Sequence, residues 1–171
     1  AVIVLFFHKL NPFALSKSGD EKKQTWQLWF KVVAAIIPSG LVGVLFDDWM
    51  DAHLHKGIPV AIALIVYGIA FILVEKRNEG REFRINRVWD IDWRTAILIG
   101  CFQCLSLVPG TSRSGSTILG AILLGVGRGA GSEFSFFMAV PTMLGASAIK
   151  LLKVLGSAAA FGFGEVVLLA V

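Results

Sequence analysis

The sequence predicts an all-α, polytopic integral membrane protein, on how its charges are spread and on a pair of half-length apolar runs. Hydrophobic residues make up 56% of the chain and charged residues only 16%, where a soluble domain carries about a quarter charged. Residues 57–74, GIPVAIALIVYGIAFILV, hold no charge over eighteen positions. That is about 27 Å of helix, close to the roughly 30 Å hydrocarbon core of a bilayer. Residues 95–108 and 116–127 are equally uncharged but too short to cross, and PGTSRSG stands between them.

Residues 1–8 read as the end of a first span, and 9–27 as a polar connection. Residues 28–46 read as a second span interrupted by Lys31 and Pro38. A short acidic connection, 47–56, leads to the third span at 57–74, followed by a charged loop over 75–94. Lys and Arg number four in the first of these connections, one in the second and six in the third. That alternation predicts that the first and third face the cytoplasm and the second the outside. Trp26, Trp29, Trp49, Trp89 and Trp93 fall near predicted span ends, as interfacial anchors do. The chain opens and closes inside apolar runs, which reads as a piece of a longer protein. The net charge of +4 belongs to these loops; no basic stripe with interleaved aromatics predicts nucleic-acid binding.

Residues 95–127 as one helix would run about 50 Å, too long for a bilayer. Pro109 cannot continue the ladder and biases Val108 away from helix. A re-entrant hairpin over 95–128 is therefore predicted, in on one half-helix and out on the other. Irregular backbone at that depth is tolerated where it is buried in protein or lines a watery cavity. A full span at 134–152 containing Pro141, an external loop and a last helix complete the expected order. The expected divisions of a single transmembrane domain over 1–171 are thus 1–94, 95–128 and 129–171.

Pro109, Gly110, Ser112, Arg113, Ser114, Gly115, Ser116 and Thr117 end one half-helix and open the next. Free N–H groups and the positive dipole end at a helix start favour an anion. Arg113 adds a permanent charge on a planar fork that matches phosphate oxygens. Gly110 and Gly115 allow a close backbone approach, and Ser112, Ser114 and Thr117 add hydroxyls. These are parts of a phosphate or diphosphate site. The plainer alternative is a kink with Ser and Thr caps and a snorkelling Arg. Against it, an Arg deep in the membrane costs about 3 kcal/mol or more without a partner.

The stretch IGCFQCLSLVPGTSRSGSTILGAILLGVGR, followed by SEFSFFMAVPTMLGA, resembles the undecaprenyl-diphosphate phosphatase family, the bacitracin-resistance proteins. The first half resembles it more loosely, through its span order and AIIPSGLVGVLF. The resemblance implies an inner-membrane enzyme that removes the terminal phosphate of a C55 isoprenoid diphosphate and recycles the carrier lipid for peptidoglycan. It implies half of an inverted-repeat architecture whose cavity opens to the external face. Arg113 would be catalytic, gripping the diphosphate, with Gly110, Ser112, Ser114 and Thr117 as further substrate contacts. It also implies a divalent cation, Mg or Ca, on ligands outside this sequence. The family's ExxxE and SSxGH motifs do not occur in this sequence; they are expected before Ala1, and no metal ligand is expected within it. The implied partners are a polyprenyl diphosphate and the bilayer; a homodimer stays open. A polyprenyl-phosphate transporter or flippase is the competing reading, because broken helices in inverted repeats are also transporter architecture. A phosphatidic-acid-type phosphatase needs a His after its motif, and none follows His55.

Other polar residues carry less. Gln103 and Ser106 lie inside the first half-helix, where interhelical hydrogen bonding is the default; for Gln103, supporting the motif from behind is the alternative. Cys101 and Cys104 form C-x-x-C on an apolar helix and read as buried free thiols. His53 and His55, beside Asp47, Asp48 and Asp51, read as an external loop tip rather than a metal site. His8 sits at a span end. Glu133 suits a helix start, and Lys31, Lys150 and Lys153 read as snorkelling near span ends.

Overall fold

A computed structural model describes residues 6–12, 18–54 and 57–158. These form a single turn, α1 (Phe7–Leu10), and two long helices, α2 (Gly19–Leu54) and α3 (Gly57–Arg77). After a charged loop come two short helices, α4 (Trp93–Gln103) and α5 (Arg113–Leu123), and then the long α6 (Arg128–Ala158). The described residues contain no strand. The expected external loop and last helix, His55, and the side chains of His8, Asp47, Asp48, Asp51, Lys150 and Lys153 fall outside the described residues.

The second predicted span is longer than its apolar run. α2 starts at Gly19 instead of 28 and continues to Leu54, through what reads as polar connection on both sides. A reciprocal cap explains the early start. Ser18 N–H donates to Glu21 Oε2 at 2.8 Å, and Glu21 N–H reaches Ser18 Oγ at 3.4 Å, the S-x-x-E capping box. Asp20 and Glu21 in the first turn also suit the helix dipole. Pro38 lies inside α2 without ending it.

α3 carries the third predicted span to Arg77, and none of its residues is buried. Over Gly19–Phe46, α2 is long and apolar enough to cross a bilayer, and so is α3. α6 encloses the predicted 134–152 stretch and accommodates Pro141.

The core forms where α2, α4 and α6 meet. Val32, Ile91, Ile99, Phe134, Phe137 and Met138 are almost completely enclosed. α2 and α4 approach so closely at one point that a Cβ on Gly100 would lie 1.8 Å from the Ala35 carbonyl oxygen. Farther along the same crossing, Ser39 meets Gln103, and Gly43 lies against Leu107. The two elements therefore run side by side in one direction.

α4 passes into a 3₁₀ turn over Cys104–Leu107, and the chain reverses around Pro109 and Gly110. α5 packs back on α4, with Gly120 against the Phe102 ring at a distance no Cβ could share. The open end of this helical hairpin is tied. Ile85 N–H donates to Gly125 O at 3.2 Å, and Gly127 N–H to Ile85 O at 2.7 Å, forming an isolated bridge between Ile85 and Val126. Arg128 forks onto both carboxylate oxygens of Glu75 at the end of α3.

Candidate functional site

The reversal between α4 and α5 carries the motif PGTSRSGST. Thr111 pins its first half: the hydroxyl lies 2.8 Å from Leu105 O and 2.7 Å from Val108 O. Gly110 takes φ +94°, a conformation that L side chains rarely adopt. Its open side meets the Val60 carbonyl of α3, 2.8 Å from where a Cβ would stand. A Cβ on Gly115 would meet Ser112 at 3.1 Å and the Phe71 ring of α3 at 3.3 Å. The room these glycines create is thus taken by Ser112 and α3.

Ser112 is the N-cap of α5, in extended conformation, with its hydroxyl accepting from Gly115 N–H at 3.2 Å. Ser116 N–H pairs with Ser112 O. A helix start leaves its first N–H groups without an intrahelical partner, here those of Arg113 and Ser114. The Ser112 and Ser114 hydroxyls stand 3.3 Å apart, so two hydroxyls and two N–H groups gather at the positive end of α5. Capping by Ser112 leaves the Arg113 and Ser114 N–H groups outside the helix ladder.

Arg113 is the first residue of α5 and is half-buried. It reaches back across the reversal to Gln103, with Nη2 donating to Oε1 at 3.3 Å. Its Nε is sealed from solvent and has no hydrogen-bond partner. An unsatisfied buried donor costs about 1–3 kcal/mol, more when charged. An anion on that fork would remove the cost. Nearby on α3, the Tyr67 hydroxyl stands beside Ser116 without completing a hydrogen bond.

Thr117 is enclosed rather than presented. It is 1% exposed, and its hydroxyl lies 2.6 Å from Ser135 Oγ on α6, which is also buried. Of the residues read from the sequence, Ser112, Arg113 and Ser114 share the tip of the turn. Gln103 stands behind Arg113, Gly110 packs on α3, and Thr117 faces α6. Sequence reading missed Thr111, Ser39 and Ser135. Thr111 lies within the motif; Ser135 meets Thr117 only through tertiary packing, and Ser39 meets Gln103, not the motif itself.

The remaining candidates take structural places. Glu133 accepts from Lys9 Nζ at 2.6 Å. His53 stacks on Trp49 and meets its carbonyl. Lys31 sits in the field of Asp92 and Asp90. Ser106 donates to Gln103 O at 2.6 Å. Cys101 and Cys104 are free, as read, but Cys101 is exposed and Cys104 only partly covered. The expected burial fails because Cys101 lies on the face of α4 turned away from α2 and α5.

No group of three or more His, Cys, Asp or Glu stands together among the described residues. The turn offers hydroxyl and amide oxygens and no carboxylate. Hard divalent cations are held through several oxygens, usually including carboxylates, so these residues do not by themselves fit one.

The model of the family "Bacitracin resistance protein BacA" matches residues 1–171. The chain belongs to this family. A relative from Enterococcus faecalis (strain ATCC 700802 / V583), named undecaprenyl-diphosphatase, is 50% identical over 169 residues, 99% of the chain. Relatives of the same name from Limosilactobacillus fermentum and Latilactobacillus sakei subsp. sakei are each 57% identical over 153 residues, 90% of the chain. The chain spans 61%, 55% and 56% of the lengths of these three relatives. Family membership and the two long apolar helices together make this a membrane protein, all-helical over the described residues.

Proposed function

We propose that this chain forms part of an undecaprenyl-diphosphate phosphatase, with Arg113 and the start of α5 as its diphosphate grip. The observation that carries the reading is the guanidinium of Arg113, held at a helix start with its Nε buried and unpaired. The names of the relatives support the substrate. In the reaction the bond between the bridging oxygen and the terminal phosphorus breaks. Water supplies the new oxygen of inorganic phosphate, and the lipid monophosphate leaves. Negative charge shifts towards the bridging oxygen as that bond opens, and a fixed cation beside it stabilises the transition state more than the ground state. Ser112 and Ser114 add hydroxyl contacts, and Thr117, paired with Ser135, holds α5 against α6. The biological outcome is recycling of the carrier lipid for peptidoglycan and resistance to bacitracin.

The hairpin enters and leaves from one face of the bacterial inner membrane in this reading, with its cavity open to the external side. Its tied open end, the Ile85–Val126 bridge and the Arg128–Glu75 pair, supports that arrangement, as does a broken helix packed inside other helices. An inverted-repeat arrangement follows from the family resemblance. A divalent cation, Mg or Ca, belongs to the same reading and requires ligands beyond this turn.

Full-length protein in detergent, given its polyprenyl diphosphate, should release inorganic phosphate, because no transport is possible there. Absence of release together with translocation of the lipid phosphate in vesicles would make the protein a carrier instead.

A further inference from the structure

We propose that Ser39 of α2 is a positioning residue for Arg113, acting through Gln103. Three hydrogen bonds form the connection. Arg113 Nη2 donates to Gln103 Oε1 at 3.3 Å, Gln103 Nε2 donates to Ser39 Oγ at 2.7 Å, and Ser39 Oγ donates to Ile36 O at 3.1 Å. A guanidinium can only donate, so the amide oxygen of Gln103 must face it. That choice turns the amide NH₂ towards Ser39, which must accept, and the single Ser39 proton is left for the helix carbonyl. Each group has one available role, and the direction is set from end to end.

Burial makes this arrangement strict. Gln103 is 2% exposed and Ser39 5% exposed, so water offers neither a ready substitute partner, and an unmatched amide in such a place is costly. The geometry is imposed by the Ala35–Gly100 contact, which sets Ser39 and Gln103 one turn farther along their helices. Ser39 neither touches the motif nor lies near it in sequence, being 64 residues from Gln103. Its effect is to hold one nitrogen of the fork, so that the unpaired Nε keeps a fixed aim.

This inference rests on Arg113 being the diphosphate grip, and the test separates the two. Phosphate release by the full-length protein is measured for Ser39→Ala, Ser39→Thr, Gln103→Met and the double variant Ser39→Ala/Gln103→Met, with Arg113→Ala beside them. Loss of one neutral hydrogen bond predicts that Ser39→Ala lowers kcat/KM about fivefold to tenfold. Ser39→Thr, which keeps the hydroxyl, should recover most of the loss. Gln103→Met should lose about tenfold or more, and the double variant should lose no more than Gln103→Met alone, because both act by one route. Additive losses, or native kcat/KM in Ser39→Ala, would overturn the proposal while Arg113→Ala remains inactive. Near-native turnover by Arg113→Ala would instead overturn the grip itself. If Ser39→Ala does not extract as a monodisperse protein, Ser39→Cys, similar in volume with a weaker hydrogen bond, takes its place and is read the same way.

Discussion

Arg113 is half-buried and half-committed: one nitrogen is given to Gln103 and Nε is left without a partner. If its planar fork matters beyond its charge, Lys replaces it poorly. Arg113→Ala and Arg113→Lys should both lose at least about a hundredfold in kcat/KM, the usual scale for a preorganised contact to developing charge, while expression and extraction stay normal. Near-native turnover by Arg113→Lys would reduce the residue to a point charge. Ser112→Ala, which removes a cap and a neutral contact, should fall about tenfold. Thr117 and Ser135 share one buried hydrogen bond, so Thr117→Ala and Ser135→Ala should resemble each other, and the pair together should be less than additive. The grouping of Ser112, Arg113 and Ser114 at one turn was legible because these residues are consecutive and open a helix. That Thr117 faces α6 was not legible, since only packing decides which side of a short helix is enclosed.

Helices meet here through small residues, and Gly100 is the tightest case. Any side chain there collides with the Ala35 backbone, which cannot move aside as a rotamer could. Gly100→Ala should therefore cost more stability than most single substitutions, about 2–4 kcal/mol on the scale of overpacking against an unyielding neighbour, seen as a lower melting temperature in detergent. It should also lower phosphate release, by separating Ser39 from Gln103. The start of α4 is held differently. Asp92 caps it by accepting from Thr95 N–H, and hydrogen bonds from Thr95, its side chain first, hold the Asp92 carboxyl below the usual carboxylate range. A depressed folded-state pKa contributes stability above the unfolded value and loses it as pH falls through the folded one. The cap should hold at neutral pH and fail only in acid, and Asp92→Ala should cost about 1 kcal/mol at pH 7 with little effect at low pH. The break at Pro109 was readable because glycine follows the proline and takes a positive φ at Gly110, whereas Pro38 and Pro141 sit inside helices that continue. The true length of α2 was not read from hydropathy. The Ser18–Glu21 capping box, four letters of sequence, was the available signal.

Across the chain, α3 buries no residue, and α2 leaves apolar side chains such as Val44 and Leu45 largely uncovered. Surfaces of this kind suit lipid or other membrane helices rather than water. The loop charges and the tied hairpin make a common prediction for orientation. Single cysteines placed at Arg94 and Arg128, with Cys101 and Cys104 replaced by Ser, should both be labelled from the cytoplasmic side. Labelling from opposite sides would make 95–127 a tilted crossing. The helical class and the long apolar helix at 57–74 were readable from charge segregation alone. The parallel crossing of α2 and α4 was not, because helices about sixty residues apart carry no local mark of which turns will touch.

The bridge between Ile85 and Val126 also sets an order of events during synthesis. Ile85 is made before either half-helix, yet its N–H and C=O have no mates until Gly125 and Gly127 exist. This latch can therefore form only after the last turn of α5 is complete, later in the chain than the packing of Gly120 on Phe102. Chains released just after Leu123 should be cleared by proteolysis. Chains released after Arg128, which add the bridge and the pairing with Glu75, should survive limited protease as a protected segment.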